Sequence, residues 1–163
     1  MSSWESKYFY KFWRPVTGIR EKHFDGTSAP DGNPATVVDP DWTPLGAPNT
    51  NTSGVYFTPP FPAYPSGHAT FGGALFQILR HVLGTDDVSF TFVSDELNGV
   101  TQYDNVTRPL APRSFTSLSQ AEEENGQSRI FLGIHWYFDK TAGIKMGNDV
   151  ADYIYDRLYK RLV

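Results

Sequence analysis

The chain has 163 residues, a formal net charge of −4 and a 15% share of aromatic residues, enough for one domain with one aromatic-rich core. It has no cysteine, which excludes disulfides and thiolate metal sites, and no apolar run reaches the roughly 20 residues of a membrane-spanning helix. The acidic balance argues against a basic nucleic-acid face, but a small anion needs only a local cluster of cations.

Ser2 and Glu5 fit a capping box, which predicts a helix over about Ser3–Trp13 that Pro15 ends. Trp4, Lys7, Lys11 and Arg14 then fall along one side of it, with Lys7 and Arg14 two turns apart. Between Pro15 and Pro65 the chain is rich in Gly, Pro, Asn, Asp and Thr, and no regular element is expected. Helical spacing of Phe71, Leu75, Ile78, Leu79 and Val82 predicts a helix from Gly67 to about Leu83, with Gly84 after its end. Val88–Val93 alternates like a short strand, and Asp95–Gly99 resembles a turn closed by Asn-Gly. A loop-like stretch leads to a polar helix from about Ser117 to His135, weakened in its last turn by Gly133. A last helix runs from about Lys140 to Leu162, with Ala151, Ile154, Tyr155, Leu158 and Leu162 on its apolar face. Asn51 and Asn105 head N-x-S/T triplets that carry little weight.

Three segments carry chemistry: Lys7 and Arg14 in K-x6-R-P, Pro65-Ser66-Gly67-His68, and Ser128-Arg129 with His135 and Asp139 in S-R-x5-H-x3-D. A helix start offers free N–H groups and the positive end of its dipole. Gly67 permits close approach, Ser66 adds a hydroxyl, and Lys7, Arg14 and Arg129 add full positive charge. Two histidines remain, one to attack or ligate and one to move protons. Singly, each has a plain reading: Ser66 as an N-cap, Lys7 and Arg129 as solvated charges, His68 as a satisfied side chain, and His135 with Asp139 as an i,i+4 helix pair. Trp4 and Phe61 alone would be core, and His23 and His81 show no partner pattern. The conjunction of the three segments, in this order, outweighs those readings.

These motifs resemble the signature of the vanadium-dependent haloperoxidases and the type 2 phosphatidic-acid-phosphatase superfamily. FWRPVTGIR, LGAPNTNT, FTPPFPAYPSGHATFGGALFQ, SDELNGV and SRIFLGIHWYFD resemble the chloroperoxidase-like branch, so the likeness runs from Trp4 to about Val150. It implies an all-α helical bundle of about four main helices, one catalytic domain over 1–163, with long loops over its active end. It also implies that His135 ligates vanadium, or forms a phosphohistidine in a phosphatase, and that Asp139 orients it. Lys7, Arg14, Ser66, the Gly67 N–H and Arg129 would hold the oxyanion, and His68 would be the acid/base. Trp4, Pro59 and Phe61 would form an apolar wall beside the halide. Algal bromoperoxidases carry a second histidine near Phe61, so the wall leans towards chloroperoxidase-like chemistry, although bromide is the easier halide to oxidise.

The implied cofactor is vanadate, whose place phosphate can take, and the implied partners are hydrogen peroxide, halide and a small organic substrate. Neither nucleic acid nor a membrane span is expected, and relatives are often exported. An acid phosphatase acting on a phosphate ester is the alternative; an inactive oxyanion-binding half-domain needing a partner chain is the second. Family members of this branch are much longer, with motifs in a C-terminal bundle of about six helices. The shortfall implies exposed apolar faces, and so self-association or a missing upstream segment.

Overall fold

Two helices cross so closely that their backbones touch, and the rest of the fold is arranged around them. The computed structural model describes residues 2–21, 36–47, 56–103 and 105–158. Its helices are α1 (Ser2–Tyr10), α2 (Pro15–Arg20), α3 (Gly67–Leu83), α4 (Leu118–Phe131) and α5 (Tyr137–Arg157). With only α2 short, this is the expected bundle of four main helices. Strand β1 (Phe90–Phe92) pairs antiparallel with β4 (Arg113–Phe115), and β2 (Gln102–Tyr103) pairs with β3 (Val106–Thr107). His23, Asn51 and Leu162 lie outside the described residues.

Helix α3 has the expected bounds. The Ser66 hydroxyl accepts from the Ala69 N–H at its start, and Gly84, with φ of +70°, turns the chain at its end. Along its inner face small residues meet α5. A Cβ on Gly147 would lie 2.2 Å from the Thr70 carbonyl oxygen, and one on Gly143 would lie 2.7 Å from that of Ser66. Gly73 is equally tight, 2.5 Å from the Ile144 oxygen. Helix α4 packs across both. The buried ammonium of Lys140 on α5 joins Glu123 and, at 3.0 Å, Gln127 on α4. Arg80 on α3 reaches Glu122 on α4 at 2.6 Å.

Several expectations need correction. The first helix ends at Tyr10, because Lys11 takes a left-handed φ of +50°. Pro15 therefore opens α2 instead of closing α1, as suits a residue with fixed φ and no N–H. Lys7 and Arg14 consequently sit on different elements. The fourth helix stops at Phe131, since Gly133 takes φ of +70°, and His135 lies in the link to α5. Helix α5 begins at Tyr137, three residues before Lys140, because Asp139 caps its first turn. Tyr155 and Leu158, expected on an apolar face, are exposed here. His81, for which the sequence shows no partner pattern, bonds Asp152 at 2.6 Å and stacks on Tyr155 at 4.4 Å.

The backbone contact makes a test. Gly147→Ala forces its methyl onto a carbonyl oxygen and should destabilise the fold by about 1–3 kcal/mol, read by urea or thermal melts. An unchanged midpoint would contradict the close crossing of α3 and α5.

Candidate oxyanion site

The α3–α5 contact sets two helix starts side by side. The Ser66 N–H donates to the Asp139 carbonyl oxygen at 3.0 Å, tying the start of α3 to the first turn of α5. Ser66 and Asp139 are fully buried. The Asp139 carboxylate accepts from the Trp136 N–H and from His135 Nδ1, both at 2.9 Å. The His135–Asp139 pair is thus part of a helix cap and not a surface i,i+4 pair.

Arg14 fixes the tautomer of His135. Its Nη1 lies 2.9 Å from His135 Nε2, and a guanidinium can only donate. Nε2 therefore accepts, and the proton sits on Nδ1, donated to Asp139. Burial, with Arg14 and Lys7 as further causes, lowers the His135 pKa to about 4 against the pull of Asp139, so the ring is neutral at neutral pH. A lone pair faces the cations.

Arg14 touches that lone pair, Lys7 acts on the same ring electrostatically, and Arg129 acts on Arg14 and His68. Lys7 donates its ammonium to the Pro62 and Ala63 carbonyls at 2.9 and 2.8 Å, which leaves one of its three donors. Burial, then Arg14, lowers its pKa to about 8. Arg14, the N-cap of α2, donates to the carbonyls of Phe61 and Ile134 at 2.9 Å each, and burial lowers its pKa to about 10. Arg129, in the last turn of α4, is buried and its pKa is lowered by that burial. Among the described residues, Arg14 Nη2 and Arg129 Nε are buried without a hydrogen-bond partner. Buried donors normally have partners, so two orphaned guanidinium nitrogens point to an anion.

The remaining residues fit that charge. Gly67 opens α3, and no atom lies within 4 Å of where a Cβ would sit. The Ser66 hydroxyl accepts the cap hydrogen bond and keeps its own proton to donate. His68, in the first turn of α3, stays exposed at the edge; burial of part of its ring, then Arg129, Arg14 and Lys7, lowers its pKa to about 4. Trp4 meets Phe61 at 4.7 Å, and the Phe61 ring lies 5.4 Å from Lys7 Nζ and 5.0 Å from Arg14 Cζ. The Pro59 carbonyl accepts from the Phe61 N–H at 2.9 Å, which sets the turn that presents the ring. All eleven candidates come together at one end of the bundle. Lys140, not among them, is buried beside Asp139 and ties α5 to the helix that carries Arg129. Only its Glu123 and Gln127 partners reveal it, and no local motif marks them.

The donor set fits a tetrahedral oxyanion bound through one histidine. Among the described residues, no three His, Asp or Glu side chains cluster as a bare cation would need.

Two measurements follow. Gly67→Ala should leave the melting temperature intact, since nothing crowds its Cβ, yet weaken inorganic phosphate binding by about tenfold or more in calorimetry. Unchanged affinity would place the anion elsewhere. A bound anion also offsets the three cations that repel a protonated His68. Its pKa should therefore rise from about 4 towards the ordinary imidazole value of 6.5 when phosphate is added, read from its NMR ring-proton titration with His68→Asn for assignment. No upward shift would separate His68 from the anion.

Residues 1–162 match the VCPO second helical-bundle domain. The chain is 42% identical over 165 aligned positions to the vanadium chloroperoxidase of Curvularia inaequalis, covering 86% of this chain and 26% of that one. It is similar to a solved bacterial vanadium-dependent iodoperoxidase, with a TM-score of 0.66 and 30% identity, over 97% of this chain and 30% of that one. A holo bacterial vanadium-dependent chloroperoxidase shares the fold, with a TM-score of 0.65 at 18% identity, over 95% of this chain and 32% of that one. The chain thus spans a third or less of the length of these relatives. It belongs to the chloroperoxidase-like vanadium haloperoxidases, as their second helical-bundle domain.

Proposed function

We propose that this domain supplies the vanadate site of a haloperoxidase that oxidises bromide, and also chloride, with hydrogen peroxide. The observation that carries the reading is the neutral His135, its Nε2 lone pair turned towards Arg14 in a pocket of buried, under-partnered cations. The chemistry vanadate supplies when bound is oxygen transfer from peroxide to halide at a constant vanadium oxidation state.

The chain's own residues do the rest. His135 Nε2 ligates, and Asp139 holds the opposite ring nitrogen protonated and the ring in place. Lys7, Arg14 and Arg129 balance the negative charge, while the Gly67 N–H and the Ser66 hydroxyl donate to the oxyanion's oxygens. His68 has a lowered pKa, so it is neutral near pH 7 and can take a proton from incoming peroxide. Trp4, Pro59 and Phe61 keep water from the halide side, where dryness strengthens the field of the cations. The apolar wall favours this reading over a phosphatase, which would use His135 as nucleophile and His68 as the acid towards the leaving group.

The test is peroxide-dependent bromination of a dye, with and without orthovanadate. Activity should appear only with vanadate and vanish in His135→Ala, and Asp139→Asn should lower it about 10–100-fold. A folded, vanadate-binding chain without bromination would contradict the proposal. Phosphate-ester hydrolysis that vanadate inhibits would put the phosphatase in its place.

A further inference from the structure

Helix α4 sends a side chain to the start of α3 that no sequence motif marks and that the oxyanion chemistry does not use. Asn125 Nδ2 donates to the His68 carbonyl oxygen at 3.0 Å. A carbonyl only accepts, so the amide presents its nitrogen there and its orientation is fixed. Arg129 follows Asn125 by four residues on α4 and lies on the same face, one turn nearer the helix end. One helix face thus carries both a tie to His68 and a cation of the oxyanion site. We propose, on the haloperoxidase reading, that Asn125 is a positioning residue: it locks the first turn of α3 to α4 and so sets His68 relative to Arg129.

The first turn of α3 depends on such ties. Its cap is long, because the Ser66 hydroxyl accepts from the Ala69 N–H at 3.4 Å, beyond the usual range. The Ser66 N–H is tied to α5 through the Asp139 carbonyl at 3.0 Å, and the His68 carbonyl is tied to α4 through Asn125. The helix start is therefore held from both neighbours. Space is reserved for the second tie. Gly72, one turn after His68, is buried, and a Cβ there would lie 2.3 Å from Asn125 Nδ2. Gly72 keeps ordinary helical torsions, and glycine inside a helix is unfavourable, so its use here is the volume it leaves empty. Gly73 serves the crossing with α5, whereas Gly72 makes room for α4.

The tie bears on one step. When His68 takes a proton from peroxide, the ring becomes a cation, and of the three site cations Arg129 acts on it most strongly. The separation of His68 and Arg129 thus governs how readily that proton is taken. The halide wall is independent of the tie, since Trp4 lies on α1 and Phe61 in the segment before α3.

Two substitutions break the tie by different routes. Asn125→Ala removes the donor, and Gly72→Ala expels the amide by filling its place. Both introduce a better helix former, so both variants should melt close to the wild type. With vanadate, peroxide and bromide, kcat/KM for peroxide should fall about tenfold in each, while KM for bromide stays at the wild-type value. The double variant should be no worse than either single one, because Gly72→Ala then has nothing left to expel. A merely structural loss would follow the melting temperature, lower the rates for both substrates alike and add in the double variant. That pattern, or wild-type peroxide kinetics in both single variants, would overturn the proposal. Absence of all halide oxidation in the wild type would count against the haloperoxidase reading, and NMR would then decide the tie by itself. The change that phosphate causes in the His68 ring-proton shift should shrink in both variants, and an unchanged response would overturn the proposal.

Discussion

The contact between α3 and α5 is the constraint on which the site depends. Gly73, Gly143 and Gly147 leave no room for side chains, so the two backbones lie against each other. That proximity lets the Ser66 N–H reach the Asp139 carbonyl. It thereby sets the exposed N–H groups of α3 beside the histidine that Asp139 orients. Larger residues at these glycines would separate the start of α3 from the His135 ring. The fold spends its closest packing next to its chemistry. Of the six largest fully buried side chains, Lys7, Lys140, Asp139 and Ser66 are polar or charged.

Such a site stands at an electrostatic cost. Lys7, Arg14 and Arg129 all have lowered pKa values, with burial the largest cause for each. For Lys7 the folded value is about 8 against an ordinary lysine value of 10.5. The folded state then binds fewer protons than the unfolded chain in that window, so this group adds stability as pH rises through it and burdens the fold below about 8. A bound oxyanion relieves the same burden, because it restores charge balance around all three cations. On the proposed reading, stability and anion binding are coupled through one set of side chains.

Much of this was legible in the sequence, and the reasons are local. Helix α3 could be bounded because Ser66 and Gly84 are strong cap signals and its apolar spacing is regular. The three motifs pointed to the site because each combines a helix end with a cation or an imidazole. The break after Tyr10 was hidden, since Lys11 is not a residue that favours a left-handed φ. His135 falls outside the expected helix because Gly133, which by composition only weakens a last turn, here terminates it with a left-handed φ. The partners of Lys140 and His81 come from other helices, and only the tertiary arrangement reveals them.

The chain represents a third or less of its relatives' length, yet it brings every candidate side chain to one end of the bundle. On the proposed reading these residues together hold one oxyanion through His135. Vanadium NMR of the folded chain titrated with orthovanadate tests it most directly. One bound vanadate per chain is expected, displaced by phosphate and absent in His135→Ala. A spectrum showing only free vanadate, or bound vanadate indifferent to His135, would contradict it.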